Sequence, residues 1–141
     1  MSETLRLRIP ARPEYLVLGR LALSGLARLH PIDQDDLSDL KLALTEACTN
    51  SIRHAYGSGR GSVEIEFVLE PHSIAIEVLD DGAGLPAPAE RAADGTAGGG
   101  LGLEIIRAVT DETEIGERQD GAGCRLRFRK QLAVPLADEE P

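Results

Sequence analysis

Glu46 and Asn50 stand four residues apart in a stretch with helical periodicity, and that spacing is where chemistry first suggests itself. Positions i and i+4 of a helix project from one face about one turn apart, so a carboxylate and an amide carbonyl can act on the same small volume. Oxygen groups of this kind suit hard cations and water. Mg²⁺ keeps several waters and is commonly held by one or two protein groups plus nucleotide phosphates. Asn50 can be such a ligand while Glu46 accepts a proton from a nucleophile. A second segment, Asp80-Asp81-Gly82-Ala83-Gly84, ends an apolar run. A carboxylate at that point can accept a hydrogen bond from an amino group such as that of adenine, and Gly82 and Gly84 let backbone turn and approach a flat ring. A third, Gly98-Gly99-Gly100-Leu101-Gly102-Leu103, precedes a helical stretch, so its N–H groups and the positive end of the helix dipole can meet phosphate oxygens.

Each segment alone has an ordinary reading: a solvated helix face, an acidic turn, a glycine-rich loop. The glycine cluster lacks the Lys and Ser/Thr of a Walker-type loop, and it follows a loop where a dinucleotide-binding loop would follow a strand. What singles the three out is their order on one chain. The histidines add little: His30 abuts Pro31, His72 lies in a turn, and His54 is one helical turn past Asn50. None has the acidic helical context of a phosphoacceptor.

The elements that must carry these residues follow from periodicity. Leu5, Leu7 and Ile9 alternate with Arg6 and Arg8, a half-buried strand ended by Pro10. Pro13 and Glu14 open a helix with apolar positions Leu16, Val17, Leu21, Ala27 and Leu29, in which Gly19 and Gly25 either weaken the helix or admit a close neighbour. Asp33 is a suitable N-cap for a long helix to about Tyr56, with Leu37, Leu40, Leu44, Ala47 and Cys48 as its buried stripe. Val63 to Phe67 and Ser73 to Leu79 read as a hairpin. From Asp80 to Gly99 nothing is periodic, and a loop of that length in a small domain is usually functional. A short helix begins near Gly100, and 112–118 with 124–130 read as a closing hairpin. Helices flanking antiparallel hairpins, without β-α-β alternation, predict an α+β two-layer sandwich.

The 141 residues suit one domain, taken as 1–132, with 133–141 expected to be a disordered acidic tail. A net charge of −9 argues against a surface for nucleic acid or anionic lipid. No apolar run approaches a membrane span, and no basic-then-apolar leader is present at Met1, which predicts a cytoplasmic protein. Cys48 and Cys124 fit neither a zinc site nor a disulfide framework, and both read as small core residues.

The motifs in their order also carry a resemblance. Glu46-Ala47-Cys48-Thr49-Asn50 resembles the N box, Asp80 to Gly84 the G1 box and Gly100 to Leu103 the G2 box of the GHKL ATPases. Within that superfamily, the span from Leu5 to about Leu132 resembles the bacterial anti-sigma factor serine kinases, especially through Leu40 to Tyr56 and Gly100 to Glu112. The resemblance implies the Bergerat fold with a mixed, mainly antiparallel sheet, ATP and Mg²⁺ as ligands, and a lid from about Leu85 to Gly99. It assigns Asn50 to Mg²⁺, Asp80 with Gly82 and Gly84 to adenine, and Gly100, Leu101, Gly102 and Leu103 to phosphates. Glu46 becomes the general base for a protein serine.

The implied partners are an anti-anti-sigma protein as phosphoacceptor and a sigma factor held by a homodimer, with exposed Arg20 on the first helix as a contact. Many relatives carry Thr where Cys124 stands, next to the adenine, and a thiol is a poorer hydrogen-bond partner. Two other functions share these motifs: a non-catalytic anti-sigma module regulated by nucleotide, and a switch kinase in a stress-signalling complex. Glu46, which a pure binder does not need, favours the kinase.

Overall fold

A computed structural model describes residues 2–56, 61–81, 99–117 and 123–136. Strand β1 (Glu3–Pro10) is followed by a 3-10 turn at Pro13–Tyr15, then helices α1 (Leu16–Leu29) and α2 (Gln34–Tyr56). Strands β2 (Ser62–Glu70) and β3 (Ser73–Asp80), helix α3 (Gly99–Val109), and strands β4 (Glu112–Glu117) and β5 (Cys124–Gln131) complete the order. The helix entered through Pro13 thus begins with a 3-10 turn, where a proline's missing N–H costs nothing.

The strands form one sheet in the order β1-β2-β3-β5-β4. All four described pairings are antiparallel, so the parallel component expected of a mixed sheet is absent among the described residues. Period-2 alternation sends each strand's apolar residues to one face. The register aligns Leu7, Ile65, Val78, Leu126 and Ile115 in one inner row across all five strands. The outer row beside it is Arg6, Glu66, Glu77, Arg127 and Glu114. On that outer face Arg6 pairs with Glu66, and Arg125 with Glu77. Cross-strand pairs of opposite charge favour this register over a one-residue slip, which would bury the charges.

The helices cover the inner face, with α2 at the centre of the layer, touching α1, α3, β2, β3 and β5. Its buried residues Leu40, Ala43, Leu44, Ala47, Cys48, Ser51 and Ile52 recur at the three- and four-residue spacing of one helix stripe. Asp33 caps it: its carboxylate accepts from the N–H of Asp35 at 3.0 Å. Helix α1 buries Gly19, Leu23 and Leu26, so the face through Val17, Leu21 and Leu29 points outward. Gly19 is the crossing point, since a Cβ there would stand 3.3 Å from both Ile65 and Leu44 side-chain carbons, whereas one at Gly25 would meet nothing within 4 Å.

Packing continues beyond the expected domain boundary at Leu132. The N–H of Leu136 donates to the Pro71 carbonyl at 2.8 Å, and Leu136 joins the core. Residues 133–136 therefore belong to the folded unit, and 137–141 lie outside the described residues.

Candidate active site

Asp80 is the fourth residue of an inward-facing series on β3, after Ile74, Ile76 and Val78, and it is fully buried. A carboxylate in that position requires hydrogen bonds in compensation. Its Oδ1 accepts from the backbone N–H of Cys124, the first residue of β5, at 3.1 Å. The chain enters β5 through Gly123, whose φ of 124° lies in the region that favours glycine, so this turn sets the N–H that orients the carboxylate. Asp81, on the opposite side of the strand, is held apart from the site: its carboxylate accepts from the backbone N–H and the hydroxyl of Ser62 at 3.1 and 3.3 Å. The two adjacent acids thus have separate tasks, one at the buried end of β3 and one tying that end to the start of β2.

Glu46 and Asn50 are both half-buried, on the C-terminal half of α2. Helix α3 crosses Glu46 at Gly102. A Cβ at Gly102 would stand 2.9 Å from Glu46 Oε1, so only a glycine admits the carboxylate in its present position. The first N–H groups of any helix lack partners within it, and in α3 those groups belong to the turn that meets Glu46. Gly100 and Leu101 lie in that turn, and Leu103 packs partly against the core. Gly82 and Gly84, and the segment read as a lid up to Gly98, lie outside the described residues.

The fold therefore makes two direct pairings among the residues singled out from sequence: Glu46 with Gly102, and Asp80 with Cys124. The end of β3 adjoins the start of β2, with Val63 opposite Asp80, and the start of β5, with Leu79 opposite Arg125. Arg20 is exposed on α1. Cys48 and Cys124 are both buried, the core positions read from the sequence, and burial pushes the Cys48 thiol up to about 12. Among the described residues, no group of three His, Cys, Asp or Glu side chains is placed to hold a metal ion.

Sequence reasoning passed over Asp81 and Lys130. For Lys130 a signal existed: it continues the inward alternation of Leu126 and Phe128 on β5.

A buried carboxylate closes a sheet strand, a carboxylate and an amide lie on the long helix of the layer above, and a glycine-rich helix start meets that second carboxylate. Residues 9–130 match the family model of the histidine kinase-like ATPase domain, and the chain belongs to that family. More particularly, it is 35% identical over 98% of its length to a serine-protein kinase RsbW of Bacillus licheniformis, covering 91% of that protein. It is 31% identical to the serine-protein kinase RsbW of Bacillus subtilis, over 99% of this chain and 92% of that protein.

Among solved structures, it resembles the RsbU and RsbW domains of a Mycobacterium tuberculosis protein, with a TM-score of 0.64 and 18% identity over 92% of this chain. The chain spans 32% of that longer structure. A histidine kinase domain from Erythrobacter litoralis follows with a TM-score of 0.57 and 20% identity, over 89% of this chain and 62% of that one. At these identities the structures establish a shared fold.

Proposed function

We propose that this protein is an ATP-dependent serine kinase and anti-sigma factor that phosphorylates an anti-anti-sigma protein and sequesters a sigma factor. The observation that carries the catalytic reading is the placement of Glu46 against the first turn of α3, where N–H groups that have no acceptor within the helix can hold a triphosphate. Asp80 is assigned to the adenine amino group, with Gly82 and Gly84 beside it, and Gly100 to Leu103 to the phosphates. Its similarity to serine-protein kinases over nearly the whole chain supports the same activity.

The transfer assigns one task to each residue. The serine oxygen forms a bond to the γ-phosphorus, the bond to the β–γ bridging oxygen breaks, ADP leaves, and the hydroxyl proton passes to the Glu46 carboxylate. Phosphoryl transfer depends chiefly on positioning and charge stabilisation, which fits a site made largely of backbone N–H groups. Mg²⁺, when bound, neutralises charge on the phosphate oxygens. Half-buried Asn50, one turn from Glu46, has the oxygen that a cation with mostly water and phosphate ligands requires. Cys124 donates its backbone N–H to Asp80, a contact that does not depend on the thiol standing in place of threonine.

The partner surface is assigned to α1. Arg20 is exposed there beside Val17, Leu18 and Leu21, which are 52%, 40% and 58% exposed. Apolar side chains beside a cation suit a protein surface, and we assign this helix to the sigma and anti-anti-sigma contacts of a homodimer. Among the described residues, no helix is long and apolar enough to cross a membrane.

The test is transfer from γ-labelled ATP, with Mg²⁺, to an anti-anti-sigma protein. Asp80→Ala and Asn50→Ala abolish nucleotide-dependent transfer, and Glu46→Ala abolishes transfer while retaining ATP binding. Full transfer by Glu46→Ala removes the base, and capture of a sigma factor without any transfer by the native protein would establish the non-catalytic module instead.

A further inference from the structure

Lys130 occupies a place where the alternation of β5 calls for an apolar side chain. Cys124, Leu126 and Phe128 precede it on the inner face and are buried, and the Lys130 side chain is itself only 13% exposed. Its ammonium donates to the carbonyl of Val109, the last residue of α3, at 3.1 Å. It also lies 3.2 Å from Asp39 Oδ2 and 3.8 Å from Asp36 Oδ1, both near the start of α2. The other Asp36 oxygen accepts from the Ala133 N–H at 2.8 Å. One cation thus joins the end of α3, the beginning of α2 and strand β5, using the several donors an ammonium provides and the negative end of a helix dipole.

The surrounding contacts hold the same end of α3. Thr110 Oγ1 donates to the Ile106 carbonyl at 2.7 Å, the Asp111 N–H donates to the Arg129 carbonyl at 2.9 Å, and the Gln131 N–H donates to Asp111 Oδ2 at 2.6 Å. The opposite end of α3 carries Gly102 and its close approach to Glu46. At the usual rise per residue this helix is roughly 16 Å long, so a tilt of about 4° at the held end moves the other by about 1 Å.

We propose that Lys130 is a positioning residue for the nucleotide site: by pinning the C-terminal end of α3 to α2, it sets where the N-terminal turn of that helix meets the phosphates. This rests on the reading of that turn as the phosphate cradle and is independent of whether Glu46 is the base. The pin acts at the phosphates and leaves the adenine contacts at Asp80, on a different element, in place.

The experiment compares ATP and adenosine binding by calorimetry or NMR titration of the full chain, in the native protein, Lys130→Met and Asp39→Asn. Adenosine offers the base that Asp80 reads and no phosphate. Lys130→Met is expected to weaken ATP by about tenfold, the order expected when a remote change misplaces a binding group by under an ångström, while adenosine affinity holds within about twofold. Asp39→Asn, at a side chain 37% exposed, shifts ATP in the same direction by less and serves if the Met variant does not fold. Equal weakening of both ligands makes Lys130 merely structural and overturns the proposal, as does no weakening of either. If the native protein binds ATP no better than adenosine, the phosphate-cradle reading falls, and the proposal with it.

Discussion

Replacing Gly102 by alanine adds one methyl group where α3 crosses Glu46, at 2.9 Å from Oε1 and 3.9 Å from the Glu46 Cβ and Cδ atoms. Ordinary contact begins near 3.4 Å, so the carboxylate must retreat by about half an ångström. The obstructing atom is the far end of a flexible side chain, and displacing it costs about 1 kcal/mol of rotamer strain. Exchanging glycine for alanine within a helix returns about 1 kcal/mol. The two nearly cancel, and Gly102→Ala should melt within a few degrees of the native protein.

Catalysis has no such compensation. A general base works within hydrogen-bond reach of the proton it takes, and a misplacement of about 1 Å can cost a hundredfold. Half that displacement predicts a fall in kcat of about tenfold, or about 1.4 kcal/mol in the barrier, with KM for ATP little changed because the backbone N–H groups of the turn remain. Turnover measured with labelled ATP and saturating phosphoacceptor, beside a thermal melt, reads both quantities. An unchanged kcat would refute the coupling between α3 and the base. A loss of ATP binding with kcat retained at saturation would refute it too, by placing the effect on the phosphates.

Gly25 lies inside α1 with open space where its Cβ would be, so Gly25→Ala should stabilise the fold by about 0.5–1 kcal/mol, read as a rise in denaturation midpoint at constant slope. Gly19→Ala, at the crossing with Ile65 and Leu44, should not share that gain. The Cys48 thiol, pushed up to about 12 by burial from an ordinary value of 9.0, stays protonated and should resist alkylation at pH 8 until the protein unfolds. Because its folded value is the higher one, the stability it contributes is fully present below about pH 9 and is lost as pH rises towards 12. A Cys48→Ala variant should therefore show a flatter decline in stability across that alkaline window.

Local pattern determined a good deal of this protein. The alternation of Val63 to Phe67 and Ile74 to Val78 specified strands and their inner faces, because a period of two leaves each side chain one choice of side. The stripe from Leu37 to Cys48 specified a long amphipathic helix, and Asp33 marked its start. The order of Glu46, Asn50, Asp80 and Gly100 to Leu103 marked the nucleotide chemistry before any geometry.

Tertiary structure decided what those residues do to one another. Helix α1 offered several apolar positions, and its buried face went to Gly19, Leu23 and Leu26, where the glycine lets the helix cross Ile65 and Leu44 closely. The Asp80 carboxylate is oriented by an N–H 44 residues away, and Asp36, in the first turn of α2, is buried against a backbone N–H 97 residues away. Contacts at such separations depend on the strand order and on how the helices cross the sheet, and no local period carries that information. The same holds for the held end of α3, on which the placement of Gly102 against Glu46 depends.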